Sequence, residues 1–134
     1  MPILHRRLDL ALRHFVLVAC AALITYLSLM PSTRVQSDIP PGIQAYDLPF
    51  HAFVYFVLTI VMIWAVARKE TQKRDRINLF LVCSLFGATL EILQAVLPSI
   101  NRSCTVSDFL SNTAGAALAA AVFPISTLLS RTRS

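Results

Sequence analysis

Asp47, His51 and Tyr55 recur at intervals of four residues. On a helix that spacing drifts only about 40° per step, so the three side chains share one face. Gly87, Glu91 and Gln94 form a second such stripe, and Asp108, Asn112, Gly115 and Ala119, opened by Ser107, form a third. An imidazole near carboxylates is the usual apparatus for moving a proton near neutral pH. His51 together with Arg102 suits contact with an anionic group. Glu91, Asp47 and Asp108 would then hold those cations or handle a proton. His51, Glu91 and Asp108 also make the nitrogen-and-two-carboxylate set that holds zinc in some enzymes. No CxxC and no local His/Cys ligand spacing accompanies them, so neither a metal nor another cofactor is expected.

Each residue has a plainer reading as well. Asp47 precedes Pro49 and suits a helix cap. Thr105-Val106-Ser107-Asp108 fits a capping box, in which the acid reaches back to the start of its helix. His51, Gln94 and Asn112 suit hydrogen bonds between helices, and Gly115 and Ala119 suit close helix packing. Tyr55 suits a membrane interface, and Arg102 a surface. Glu91 is the hardest to dismiss. It lies within an apolar run, far from either cap, and must be protonated, paired or hydrated there. Its expected partners are His51 and Arg102, and an ion pair that merely joins two helices would satisfy it.

The elements that carry these stripes are apolar. Of 134 residues, 56% are hydrophobic and 14% charged, against about a quarter charged in ordinary soluble domains. The apolar residues fall into four runs: 15–30, 48–67, 77–97 and 106–129. A core of this size could not hide them from water, so each reads as a membrane-spanning helix. The first is short, and Arg13 is expected to snorkel at its end. Leu17-Val18-Ala19-Cys20 superficially matches a lipoprotein cleavage box. The apolar stretch before Cys20 is too short for one, and an uncleaved first span is expected. Pro31 and Pro98 terminate spans one and three.

The net charge of +5 does not point to nucleic acid, because the basic residues flank the apolar runs. Of the twelve Lys and Arg residues, ten lie in the start (6, 7, 13), the loop between spans two and three (68, 69, 73, 74, 76) and the tail (131, 133). Only Arg34 and Arg102 lie in the other two loops. Basic loops stay in the cytoplasm, which gives four spans with both ends inside. Cys20 and Cys83 fall within spans and Cys104 in an outer loop, so no disulfide is expected. At about 1.5 Å per residue, Tyr55 lies roughly 12 Å below Asp47, Glu91 about 9 Å short of Leu97, and Asn112 about 6 Å below Asp108. Three spans thus bring polar stripes to one level in the outer half of the membrane, which implies a polar pocket facing outward.

The order Asp47, His51, Tyr55; Gly87, Glu91, Gln94; Arg102, Asp108, Asn112, Gly115 resembles the VanZ-like family of bacterial membrane proteins. Leu27-Ser28-Leu29-Met30-Pro31 resembles that family's Ser-Leu-x-Pro ending. The resemblance covers about residues 23–120. Many relatives carry Lys where this chain has Leu48, and a second Gly where it has Ala119. The resemblance implies a role in the cell envelope. The family takes its name from a protein linked to low-level resistance to the glycopeptide teicoplanin, and the likeness supplies no mechanism.

The expected fold is all-α, a four-helix transmembrane bundle. It comprises a cytoplasmic basic start at 1–14, a four-span domain at 15–129 and a cytoplasmic tail at 130–134. The expected location is the bacterial cytoplasmic membrane. The leading functional expectation is a pocket lined by Asp47, His51, Tyr55, Glu91, Gln94, Arg102, Asp108 and Asn112 that recognises a polar or lipid-linked envelope precursor, with an effect on glycopeptide susceptibility. The expected partners are therefore the lipid bilayer and such a precursor. Two alternatives stand beside it. One is a membrane-embedded hydrolase or transferase using Glu91 or Asp108 as base with His51 as partner. The other is a polar network that only packs helices.

Overall fold

The computed structural model describes residues 2–31, 47–66, 73–97, 99 and 105–122. They form four helices: α1 Pro2–Leu29, α2 Asp47–Val66, α3 Lys73–Val96 and α4 Val106–Val122. The helix boundaries follow the local chemistry. Pro2 opens α1, where a missing N–H costs nothing, and Pro31 follows its end. Pro49 sits in the first turn of α2. Asp75 and Asp108 lie in the first turns of α3 and α4, where a negative charge meets the positive end of the helix dipole. The basic start is helical and continuous with the first apolar run, so α1 has 28 residues.

Three helices hold stretches long and apolar enough to cross a membrane: Arg7–Leu29, Leu48–Val66 and Arg74–Val96. Their outward faces keep large apolar side chains exposed, among them Phe15, Phe53, Leu85 and Ile92. Large apolar side chains exposed along such stretches suit a lipid environment and point to a membrane protein. The 17 residues of α4 rise only about 25 Å. Residues 123–129, which complete the fourth span expected from sequence, lie outside the described residues, as do the tail, the loop residues 67–72 and Cys104.

The helices alternate in direction. Arg13, in the first half of α1, meets Trp64 near the end of α2. Arg76, at the start of α3, meets Ala120 near the end of α4. Gln94 and Ser28 bring the ends of α3 and α1 together. The most extensive packing is between α2 and α4, and a glycine makes it possible. A Cβ on Gly115 would lie 1.9 Å from the carbonyl oxygen of Ala52, so no other residue fits without parting the two helices. Ala116 and Ala119 extend this small-residue face and are fully buried. Tyr55, Leu58, Cys83 and Ala116 form the core, and Leu17, Cys20 and Ile24 of α1 pack against it from outside. None of the apolar window of α1 is fully buried, whereas a third of the windows of α2 and α3 is. α1 is therefore the peripheral helix.

Three threonine hydroxyls within the helices are satisfied by the preceding turn, while the buried hydroxyls of Ser84 and Thr113 have no such bond. Thr25 donates to Ala21 O, Thr59 to Tyr55 O and Thr89 to Leu85 O, each at 2.8 Å. In hydrocarbon such back-bonding removes the cost of an unpaired hydroxyl.

Candidate functional site

Among the described residues, four polar or charged side chains are buried: Thr59, Glu91, Gln94 and Asn112. Three of them were singled out by the sequence stripes, and they lie at one end of the bundle, formed by the start of α2, the end of α3 and the start of α4.

Asn112 is the hub. Its Nδ2 donates to Glu91 Oε1 at 3.4 Å. Its Oδ1 lies 3.1 Å from His51 Nδ1. With the amide N–H directed at the Glu91 oxygen, the amide oxygen faces the imidazole. That oxygen then accepts from His51, which puts a hydrogen on His51 Nδ1. Three helices are joined by this chain: α2 through His51, α4 through Asn112 and α3 through Glu91. Asn112 is 1% and Glu91 5% exposed, while His51 is half-buried. The network thus runs from a reachable imidazole to an enclosed carboxyl group.

The close approach of α2 and α4 sets its spacing. Ala52, the residue after His51, touches Gly115, three residues after Asn112. Only backbone contact at that point lets a short amide side chain reach the imidazole.

Gln94 does something different. Its Nε2 donates to Ser28 O at 2.7 Å, in the last turn of α1. Carbonyls at a helix end have no partner within the helix, and α1 has no basic residue in its last turn to help. Gln94 supplies the donor from α3. Tyr55 is also part of the packing. It is 3% exposed, and a Cβ on Gly87 would lie 2.8 Å from its Cε1, so Gly87 makes room for the phenol ring. Phe86 flanks the ring at 6.5 Å between centroids.

Asp108 is held within its own turn. Thr105 Oγ1 accepts from the Asp108 backbone N–H at 3.2 Å and donates to Asp108 Oδ2 at 2.5 Å. Half of the capping box read from the sequence is present, the Asp108 N–H on Thr105 Oγ1; the carboxylate engages the Thr105 hydroxyl where a backbone N–H was expected. The side chain of Asp47 and all of Arg102 lie outside the described residues. Among the described residues no three His, Cys, Asp or Glu side chains converge as a metal-binding group.

Thr59 is the member that spacing could have revealed and chemistry did not suggest. It continues the Asp47, His51, Tyr55 series by four more residues. Its hydroxyl donates to Cys83 Sγ at 3.0 Å, deep in the core, where it joins α2 to α3.

A family model described as VanZ/LLP1 matches residues 14–128, most of the chain. No curated protein and no solved structure matches it.

Proposed function

This chain belongs to the VanZ/LLP1 family, and on that premise we propose that it is a four-span protein of the bacterial cytoplasmic membrane that binds an envelope ligand from the outer side. Both termini lie in the cytoplasm in this reading, on the charge argument above. The end built from His51, Asn112 and Glu91 then faces outward. Its ligand is a polar or lipid-linked cell-wall precursor, and through that precursor the protein alters susceptibility to glycopeptides such as teicoplanin.

The observation that carries this reading is the burial of Glu91. Glu91 is a carboxyl group 5% exposed inside an apolar span, where an ionisable side chain is costly to keep. A helix-packing role would be met by an amide alone, as Gln94 demonstrates on the same helix face. Retaining an acid, joined through Asn112 to an imidazole that is reachable, favours a group that meets a ligand or a proton. Arg102 and Asp47 belong to the same proposed pocket by sequence position.

A second reading, in which the network only fastens helices, draws on one specific observation: each bond of the His51–Asn112–Glu91 chain crosses between two helices. The hydrolase or transferase reading is weaker, because Asp108 is engaged by Thr105 within its own turn.

Glu91→Gln and His51→Asn separate these readings in a glycopeptide-sensitive host that lacks the protein. A ligand site predicts normal amounts in the membrane with loss of the wild-type effect on teicoplanin susceptibility. Loss of the protein from the membrane would support fastening instead.

A further inference from the structure

A groove of about 390 Å³ runs between α3 and α4 at the end of the bundle opposite His51. It is lined by Arg76, Ile77, Phe80, Ala117, Ala120 and Ala121. We propose that this groove binds an anionic phospholipid of the surrounding bilayer, with its phosphate on the Arg76 guanidinium and the upper part of an acyl chain along Phe80, Ala117 and Ala121.

Three observations lead there. The alanines of α4 leave a hollow beside the larger Ile77 and Phe80, and the hollow falls in the size range of small-molecule sites, about 300–1,000 Å³. Its single charged liner stands at the start of a membrane-crossing stretch, Arg74–Val96, the depth at which lipid phosphates lie. Arg76 reaches across the mouth of the groove to Ala120 O at 3.4 Å. That long bond uses one of five N–H donors and holds the guanidinium in place for a phosphate. Arg74, two residues earlier, points from a different face of the helix and is not part of the groove. A second groove, of about 350 Å³ between α2 and α4, provides the contrast. Ala52, Phe53, Phe56, Ala114, Gly115 and Leu118 line it without a charge, and nothing there selects a headgroup. The proposed lipid site stands apart from the network around Glu91.

The test titrates the purified full chain in detergent with dioleoyl phosphatidylglycerol or dioleoyl phosphatidylcholine and counts bound lipid by native mass spectrometry. Wild type should retain the anionic lipid about fivefold more strongly, the effect of one well-placed basic side chain at a lipid surface. Arg76→Gln should bring the two lipids to parity, while Arg76→Lys and Arg74→Gln keep most of the preference. Ala117→Leu, which fills the groove and keeps the charge, should lower retention of phosphatidylglycerol. Equal retention of both lipids by wild type would overturn the proposal. So would a preference that survives in Arg76→Gln, or one untouched by Ala117→Leu. The last variant and the wild-type comparison keep the test decisive if Arg76→Gln does not fold.

Discussion

The two ends of the bundle treat polar side chains in opposite ways. At one end, Arg13 donates to Trp64 O at 3.3 Å and Arg76 to Ala120 O at 3.4 Å. Both acceptors lie in the last turns of helices that have no basic residue of their own there. A neighbouring helix supplies the cation that the negative end of the dipole favours. Arg13 is fixed further by Asp9 at 2.8 Å and by the Trp64 ring, 5.2 Å from its guanidinium carbon. At the other end, His51, Asn112 and Glu91 bond to one another through side chains. A backbone carbonyl at a helix end cannot be rearranged, so a side chain bound to it is a fastener. A chain of side chains has alternatives, because an imidazole, an amide and a carboxyl can exchange partners or protons. On the proposed reading, the arginine end fastens the helices and ligand chemistry falls to the end holding Glu91. Gln94 is the exception that sharpens it, a fastener by the same criterion though it lies beside Glu91.

The comparison can be broken most severely at Gly115. Gly115→Val places side-chain atoms inside the contact with Ala52, and overpacking of this kind costs about 1–3 kcal/mol or more. We expect a lower thermal midpoint in detergent and reduced accumulation in the membrane. Gly87→Ala should be milder, because its Cβ meets the ring of Tyr55 rather than backbone.

Asn112→Leu removes the bridge and leaves the buried Glu91 and the half-buried His51 without it. The expected loss is about 1–3 kcal/mol, with the wild-type susceptibility effect abolished even in the fraction that folds. Arg13→Gln tests the other end. It should lose roughly 0.5–1 kcal/mol from the cation–π contact, seen as a small drop in thermal midpoint. The effect per inserted molecule should be unchanged. The smallest effect is expected for Gln94→Leu, about 0.6 kcal/mol for one hydrogen bond between membrane helices, again without a change in effect per molecule. A functional loss in Arg13→Gln or Gln94→Leu at normal protein levels would dissolve the distinction between the two ends.

Much of this organisation is legible in the sequence because lipid imposes few rules. Of the four apolar runs read as spans, three coincide with helical stretches long and apolar enough to cross a membrane and the fourth ends beyond the described residues, and Pro31 and Pro49 mark helix boundaries where backbone donors are dispensable. Spacing of three and four residues placed His51, Glu91 and Asn112 on facing stripes that the structure brings together. The Thr105–Asp108 cap was readable because its partners are local. Partner choice between helices was not readable. Glu91 was matched with cations by charge; its contact with the neutral amide of Asn112 was not foreseen, because it depends on an approach at Gly115 that no charge pattern encodes. The destination of Arg13 is hidden for a similar reason. Hydropathy detects a charge at the end of a run and is blind to a carbonyl at the end of another helix. Arg102 and the side chain of Asp47, both expected at the site, lie outside the described residues.

The central claim is that the end paired through side chains is the one open to the outside. Ser107 is exposed at the head of α4, one residue before Asp108, and reports on that end directly. With Cys20 and Cys104 replaced by Ser and Cys83 buried in the core, Ser107→Cys leaves a single reachable thiol. A membrane-impermeant maleimide added to intact cells should label it, and labelling should not rise when the membrane is opened. Labelling only after the membrane is opened would put His51, Asn112 and Glu91 on the cytoplasmic side and contradict an outward-facing site.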